Sequence, residues 1–452
     1  MRLQRNVLVF AMVALLVLPL SALAQATGAI EGRVTRENGT GIGGVTVTID
    51  GLDEATLTDE RGRYRISGVP AGSYDVVFTL GDNFATREAV EVVAGQVNEA
   101  GITVDWDVAY AETITVVSAS RRQERIVEAP AAVTIVGEQQ IEREAAHGQV
   151  PKLLEFTPGA EVTQSGLYDY NVNTRGFNSS LNRRVATLID GRDPSVPFLG
   201  AQEWAAISFP MDDFAVVEMV RGPSAALYGA NASSGVLNMI TKRPRNSEGG
   251  LVRLTGGELS TFNADFRWAG ELGAGWYAKV IGGLRDHDDW FQSRNESVEY
   301  PGLPMEAVPV TLESDEISFY GLRLDKYVSQ QSFFTLEGGS ASVEGPVFQT
   351  GIGRVQLVEV DRPWVRFNYY HPRWNFLGTY NKRDAPRQTA LSSGNNLTLD
   401  TENIAFELQT NWDLGDAARV VAGASYSEDD IDSFDPSIGA QTLVFEPIEA
   451  DF

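Results

Sequence analysis

The sequence predicts a mainly β chain in three parts: an N-terminal β-sandwich, a middle α+β unit, and a long run of antiparallel strands. Three observations carry that reading. Residues 28–106 hold short alternating segments separated by turn residues. Residues 126–245 mix helical and strand patterns, and from 246 onward aromatic-rich alternating segments recur. The composition agrees. There are 44 glycines in 452 residues, about a tenth of the chain against a usual ~7%. With them come 21 phenylalanines, 14 tyrosines and 8 tryptophans, a balance that suits turn-rich β structure better than helices.

Charge and cysteine content narrow the function. A formal net charge of -25 argues against nucleic acid as a partner, because phosphate binding needs a basic surface. No cysteine is present, which excludes disulfides, thiolate metal sites and lipidated cysteine. The N-terminus has the three parts of a secretory signal: Arg2 and Arg5, an apolar core from Val7 to Leu20, and the small-x-small site Ala22-Leu23-Ala24. The apolar core is shorter than the ~20 residues a spanning helix needs, and Pro19 closes it. Residues 1–24 are therefore read as a signal peptide cleaved after Ala24, with Ala26 as the second choice. No other stretch reads as a transmembrane helix, so a membrane-embedded mature protein must be a barrel.

The sandwich is placed at 25–106. Its segments include Ala29 to Val34, Val45 to Ile49, Tyr64 to Ile66, Tyr74 to Phe78 and Glu91 to Val93, with turns at Asn38-Gly39, Asp50-Gly51, Arg61-Gly62 and Ala71-Gly72. Gly39-x-Gly41-x-Gly43-Gly44 is read as a glycine-rich hairpin and not a nucleotide loop, because no helix pattern follows it. Gly32-Arg33-Val34, Thr58 to Tyr64 and Val69-Pro70-Ala71-Gly72-Ser73-Tyr74 make this unit resemble the carboxypeptidase regulatory-like domain. That name implies no peptidase activity, and all three histidines (His147, His287, His371) lie downstream.

In the middle unit, Val133 to Val136 reads as a strand and Gly137 to Glu142 starts a helix. Val150 to Phe156 reads as a second helix, closed by Thr157-Pro158-Gly159. Val185 to Gly191 is a buried strand ending in a turn, and Phe214 to Val220 is another strand. The order Arg175-Gly176-Phe177, Leu188-Ile189-Asp190-Gly191, Arg221-Gly222-Pro223-Ser224-Ala225-Ala226-Leu227-Tyr228-Gly229 and Gly235 to Lys242 resembles the plug domain of TonB-dependent outer-membrane receptors. The resemblance places a plug at 126–245 inside an outer-membrane barrel. It also places a TonB box in the linker 107–125, at Glu112-Thr113-Ile114-Thr115-Val116-Val117. Such a β-branched stretch can add itself as a strand to a partner's sheet edge.

From 246 to 452 the alternating segments include Phe262 to Trp268, Trp276 to Ile281, Ile317 to Leu324, Trp364 to Tyr370 and Ile404 to Trp412. Outer-membrane strands alternate in this way, with apolar side chains toward lipid and polar ones toward the lumen. A soluble sandwich alternates too; the signal peptide and the plug resemblance favour a transmembrane antiparallel β-barrel. The resemblance implies a barrel of 22 strands, which at ~10 residues each would use ~220 residues, more than the 207 that follow position 245. The barrel is therefore expected to be incomplete, the chain being a fragment of a longer receptor. Segment 246–452 carries 15 Lys and Arg against 32 Asp and Glu, a net of -17.

No catalytic constellation stands out, and no Gly-x-Ser-x-Gly elbow occurs. Asp286-His287-Asp288-Asp289 and Glu428-Asp429-Asp430-x-Asp432 are dense enough in carboxylates for calcium, but are read as solvated loops beyond strand ends, with no metal. By resemblance, Arg175 and Arg221 seat the plug by pairing with barrel glutamates. Glu218, Asp190, Gly191, Gly176 and Tyr228 belong to the same seat. Gly222, Gly229 and Gly235 are expected at tight turns, and Pro223 at a first helical turn. Tyr168, Tyr170 and Trp204 are the ligand-contact candidates, being aromatics on outward plug loops. The function implied is import of a scarce, bulky ligand: ferric siderophore, cobalamin, oligosaccharide or peptide. TonB and its energising complex, the outer-membrane lipid and the ligand are the partners, with no organic cofactor. The sandwich would lie on the periplasmic side of a Gram-negative outer membrane. A surface binding or adhesion protein without transport is the alternative class, and an enzyme acting through the N-terminal unit is a third.

Overall fold

The computed structural model describes residues 27–443 except 38, 51, 53–54, 60, 81–82, 105, 107–114, 117–123, 126–130, 176–182, 198, 289–296, 299–307, 310–313, 330–331, 351–352, 372, 415–417 and 436–437. The signal peptide expected at 1–24 lies outside these residues.

Eight strands form the first unit: β1 (Thr27–Arg36), β2 (Thr46–Ile49), β3 (Ala55–Leu57), β4 (Arg63–Pro70), β5 (Gly72–Leu80), β6 (Asn83–Val92), β7 (Val97–Glu99) and β8 (Ile102–Val104). They make two sheets. In one, β1 lies between β4 and the pair β7 and β8; the other runs β3-β2-β5-β6. Strand periodicity sends alternate residues to one face, and Ile30, Val34, Val47, Ile49, Ile66, Val76 and Phe78 meet in a core between the sheets. The Tyr64 hydroxyl reaches that core and donates to the Ala100 carbonyl at 2.5 Å. Glycine at 41 is demanded by close approach, since a Cβ there would lie 1.9 Å from the Arg61 carbonyl oxygen.

In the linker, β9 (Thr115–Val116) pairs antiparallel with β10 (Glu124–Arg125). The middle unit then opens with β11 (Ala132–Gly137) and helix α1 (Glu138–Glu144). It continues through the hairpin β12 (Ala160–Gln164) and β13 (Tyr170–Thr174) to β14 (Val185–Ile189), β15 (Phe214–Arg221), the one-turn helix α2 (Ala225–Tyr228) and β16 (Gly235–Thr241). Its sheet runs β11-β15-β16-β14, with β14 parallel to β16 and the other pairs antiparallel. Ile141, Leu153, Leu154, Phe214, Val217, Met219, Leu237 and Met239 fill its core. Residues 150–154, expected as α-helix, form a 3₁₀ turn with Pro151 near its start. Proline donates no backbone hydrogen bond, and the turn stops at Leu154, two residues short of the expected end.

The third unit is a single antiparallel sheet. Its strands are β17 (Gly249–Gly256), β18 (Phe262–Gly273), β19 (Trp276–Asp288), β22 (Ser314–Tyr327), β23 (Phe333–Glu344), β25 (Gly353–His371), β26 (Trp374–Ala390), β27 (Asp400–Leu414) and β28 (Ala418–Asp432), in that order. A short strand β24 (Val347–Thr350) pairs with β25, and two-residue strands β20 (Ser297–Val298) and β21 (Val308–Pro309) pair with each other. The sheet is open: among the described residues, β17 pairs only with β18 and β28 only with β27. Its polarity is inverted relative to a soluble core. Val252, Leu254, Tyr320, Leu322, Leu336, Phe406 and Leu408 are exposed, whereas Asp265, Arg267, Arg323, Asp325, Glu337, Arg366 and Arg383 are buried, with Arg267, Arg323 and Arg383 facing carboxylates of the middle unit. That is the arrangement of an outer-membrane strand, apolar outward and polar inward. No helix among the described residues is long and apolar enough to cross a membrane. The acidic runs lie within strands: Asp286 to Asp288 end β19, and Glu428 to Asp432 end β28, so neither is the free loop expected.

Candidate functional site

Two features stand out where the middle unit meets the large sheet: the ionic seat that joins them, and a cavity beside it. The seat begins with carboxylates that the middle unit offers to inward-facing bases. Asp213 ends a 3₁₀ turn just before β15 and is fully buried. It accepts from Lys279 Nζ at 2.7 Å and from Arg267 Nε at 3.1 Å. Its neighbour Asp212 receives two hydrogen bonds from Arg253, at 2.6 and 2.7 Å, the planar fork that suits a carboxylate. Glu203 sits between Arg383, which donates from Nη2 at 2.8 Å, and Arg362.

Asp190 adopts a left-handed conformation at the end of β14, with φ 50°, and Gly191 follows at φ 86°. Short polar side chains tolerate that region better than others. From there Asp190 accepts from the Thr241 amide at 3.0 Å and its hydroxyl at 2.6 Å, with Arg323 at 3.6 Å. Arg192 completes the set: it donates to Asn381 at 2.9 Å and lies 4.2 Å over the Trp364 ring.

The environments differ in electrostatic balance. Burial pushes the carboxyls of Asp190, Glu203 and Asp213 up. For Glu203, Arg383 and Arg362 outweigh burial and hold the group below its ordinary value. For Asp190, Arg366 and Arg323 do the same. For Asp213, burial prevails over Lys279 and Arg267, and the group lies above its ordinary value. Burial brings the Arg192 guanidinium down to about 9, with Glu337 partly opposing.

The other residues expected at the seat lie elsewhere. Arg221 donates to the Pro158 carbonyl inside the middle unit. Arg175 is exposed, has φ 49°, and its guanidinium lies beside Gly222. Glu218 is buried within the sheet, opposite Ile135 and Asn238. Tyr228 ends α2, and Gly176 lies outside the described residues. Pro223 precedes α2 by two positions, and Gly222 (φ 121°) and Gly229 (φ 83°) turn the chain at either end of it. Gly235 serves another purpose, since a Cβ there would lie 2.4 Å from the Val220 carbonyl oxygen of the adjacent strand.

Tyr168, Tyr170 and Trp204 all line the cavity, with Arg183, Asp193 and Phe348. Its lining residues Pro346 to Gln349 lie at the end of the sheet that carries the longer connections, 289–313 and 391–399; the opposite end has tight turns such as Ala274-Gly275. Long loops mark the extracellular end of such barrels. The three aromatic residues are buried. The Tyr168 hydroxyl meets His287 Nε2 at 2.5 Å, and Trp204 Nε1 donates to the Tyr170 carbonyl at 2.9 Å. Burial also raises the carboxyls of Asp169 and Asp193 on the lining. Its lining mixes aromatic and polar side chains, the chemistry that holds an amphiphilic group. Among the described residues no group of three or more metal-ligating side chains comes together.

Of the linker stretch, Thr115 and Val116 form β9; Glu112, Thr113, Ile114 and Val117 lie outside the described residues. Sequence reasoning missed Glu203, Asp212, Asp213, Arg192 and their bases. The available signal was strand alternation, which puts Arg267, Lys279, Arg323 and Arg383 on the inner face.

Comparison with known proteins agrees with this architecture. Residues 125–236 match the TonB-dependent Receptor Plug Domain family, and 29–105 match the Carboxypeptidase regulatory-like domain family. The chain is 34% identical over 176 residues to a vitamin B12 transporter, BtuB, of Vibrio vulnificus, covering 38% of this chain and 27% of that protein. It is 27% identical over 217 residues to the ferrioxamine receptor of Yersinia enterocolitica, covering 46% and 28%. The chain thus spans under a third of the length of these relatives. Among solved structures, the ferripyoverdine receptor of Pseudomonas aeruginosa shares the fold with a TM-score of 0.50 at 14% identity, over 80% of this chain and 49% of that one.

Proposed function

We infer that this chain, which belongs to the TonB-dependent outer-membrane receptors and carries a carboxypeptidase regulatory-like domain ahead of its plug, takes part in energised import of a bulky, scarce ligand. Cargo binds from outside, in and above the cavity lined by Tyr168, Tyr170 and Trp204. Binding makes the linker strand at Thr115-Val116 available to TonB in the periplasm, which adds it to its own sheet edge and pulls. The plug then shifts against the barrel wall, and the proton gradient supplies the work. A metal chelate of the ferric-siderophore or cobalamin kind is the first cargo class to test; oligosaccharides and peptides are the second.

The observation that carries this reading is the seat. A plug fixed through discrete ion pairs (Glu203 with Arg362 and Arg383, Asp213 with Lys279 and Arg267, Asp212 with Arg253) can be unseated without unfolding its own sheet. Arg175 and Arg221 are kept as proposed seating residues on the family resemblance. The test is accumulation of labelled ferric siderophores and cobalamin by cells expressing the receptor, with and without a protonophore. Accumulation that collapses with the gradient supports import. Binding that saturates at the surface and ignores the gradient would favour a binding protein without transport.

A further inference from the structure

The sandwich is docked on the plug through a row of arginines. Arg63 and Arg65 alternate along β4 and so point to one side of it, and Arg61 lies in the turn just before the strand. Glu138 and Glu142 are spaced by four on α1, which stacks them on one helix face. The two rows meet. Arg61 pairs with Glu142 at 2.9 Å and Arg63 with Glu138 at 3.0 Å, while Arg65 reaches Glu248 at the entry to β17 at 2.9 Å.

Glu138 also binds Lys242, at the end of the last plug strand, at 2.9 Å. Next to it, Arg245 in the plug-to-barrel connection donates to the Ser67 carbonyl of β4 at 3.2 Å. Its guanidinium lies 4.6 Å over the ring of Tyr327 and 5.9 Å over that of Tyr277. The sandwich therefore grips both ends of the plug: the first helix after the linker, and the connection into the barrel.

The position of the grip matters because Thr115-Val116 lies in the linker between the sandwich and β11. A pull on that strand reaches β11 first and α1 next. We propose that the face formed by Arg61, Arg63 and Arg65 is an interaction surface whose partner is the acidic face of α1 and the rim at Glu248, and that it opens in each transport cycle as a latch on the plug. The pairs suit release. Their side chains keep 21–48% of their exposure, whereas the seat pair Lys279–Asp213 keeps at most 1%. Part-exposed pairs are individually weak and are exchanged for water without leaving a buried charge. The proposal rests on the import reading above.

These 452 residues hold no cysteine, so an introduced pair is unique among them, and the single-cysteine variants report any thiol elsewhere. The experiment uses the full-length receptor in cells, with Arg61→Cys and Glu142→Cys combined, joined by a reducible bifunctional thiol reagent long enough to span an Arg–Glu pair. Single-cysteine variants with the same reagent and Val116→Pro are run alongside. The expected result is a cross-link that leaves cargo binding intact, lowers accumulation to the level of the Val116→Pro variant, and is reversed by reductant. Full accumulation with the cross-link in place would overturn the latch, and so would failure of the pair to cross-link. Unimpaired accumulation in Val116→Pro would instead sink the import reading itself. As a second variant, Arg63→Ala combined with Arg65→Ala should lower the cross-link yield, because it removes two of the three pairs that hold the faces together; an unchanged yield would contradict the docking.

Discussion

Glu203 shows what a single residue does in this seat. Its two carboxylate oxygens are shared between Arg362 and Arg383, and Arg383 is fully buried. Replacing Glu203 by Gln keeps the shape and strands two buried guanidinium groups. Breaking a buried pair from one side costs about 3–5 kcal/mol, so Glu203→Gln should lower unfolding stability in detergent by that order. A loss under about 1 kcal/mol, the value of a surface pair, would contradict the assignment. The pH dependence follows from sign. Arg383 and Arg362 hold the folded carboxyl below its ordinary value, near ~4.3 for an unfolded glutamate. Its contribution is complete above that pH and drains away as pH falls through the folded value. Denaturation titrations should show this acid-side slope in the native chain and a shallower one in Glu203→Gln. Glu203 was not legible in the sequence, because its partners lie 159 and 180 positions away. Asp190 and Gly191 were legible, because their motif is local.

At the scale of elements, the two glycines Gly229 and Gly235 separate two physical reasons for the same residue. Gly229 has φ 83° and open space around its Cβ position, so alanine there meets backbone strain alone. Gly235 has no such strain, but its Cβ would lie 2.4 Å from the Val220 carbonyl oxygen and 2.6 Å from Thr174. A backbone atom cannot step aside, so Gly235→Ala must part β15 from β16. Overpacking of this kind costs about 1–3 kcal/mol, while an alanine at positive φ costs about 1 kcal/mol. Unfolding curves should rank Gly235→Ala as the more damaging; the reverse order would refute the close-approach explanation. The ion pairs between sandwich and plug, at about 0.2–1 kcal/mol each, should respond to salt more than the buried seat does. Hydrogen exchange at α1 should therefore quicken with ionic strength while exchange at β15 and β16 stays constant. Equal responses would mean that the latch and the seat do not differ in strength. Strand existence was readable from alternation, and β15 from its apolar run. The 3₁₀ turn at Val150–Leu154 was not, because its apolar spacing is also that of an α-helix.

At the scale of the molecule, the inversion of polarity across the large sheet is what the sequence displayed most openly. Outward Tyr320 and Leu322 alternate with inward Arg323 and Asp325 on β22, and period-2 patterning carries that information without any tertiary knowledge. Which inward charge meets which plug carboxylate depends on the curvature of ten strands and was hidden. The charge polarity of the seat was hidden for the same reason: the described pairs run from plug carboxylates to strand bases. The linker strand ties these scales together, since Thr115-Val116 is paired with Glu124-Arg125 and is the handle we propose for import.

The most direct test of energised import is therefore accumulation of a bound, labelled metal chelate by cells carrying the native chain or Val116→Pro. Proline removes a ladder donor and blocks strand addition. The expected result is equal surface binding by both, with gradient-driven accumulation in the native chain only. Equal accumulation by the two would contradict it.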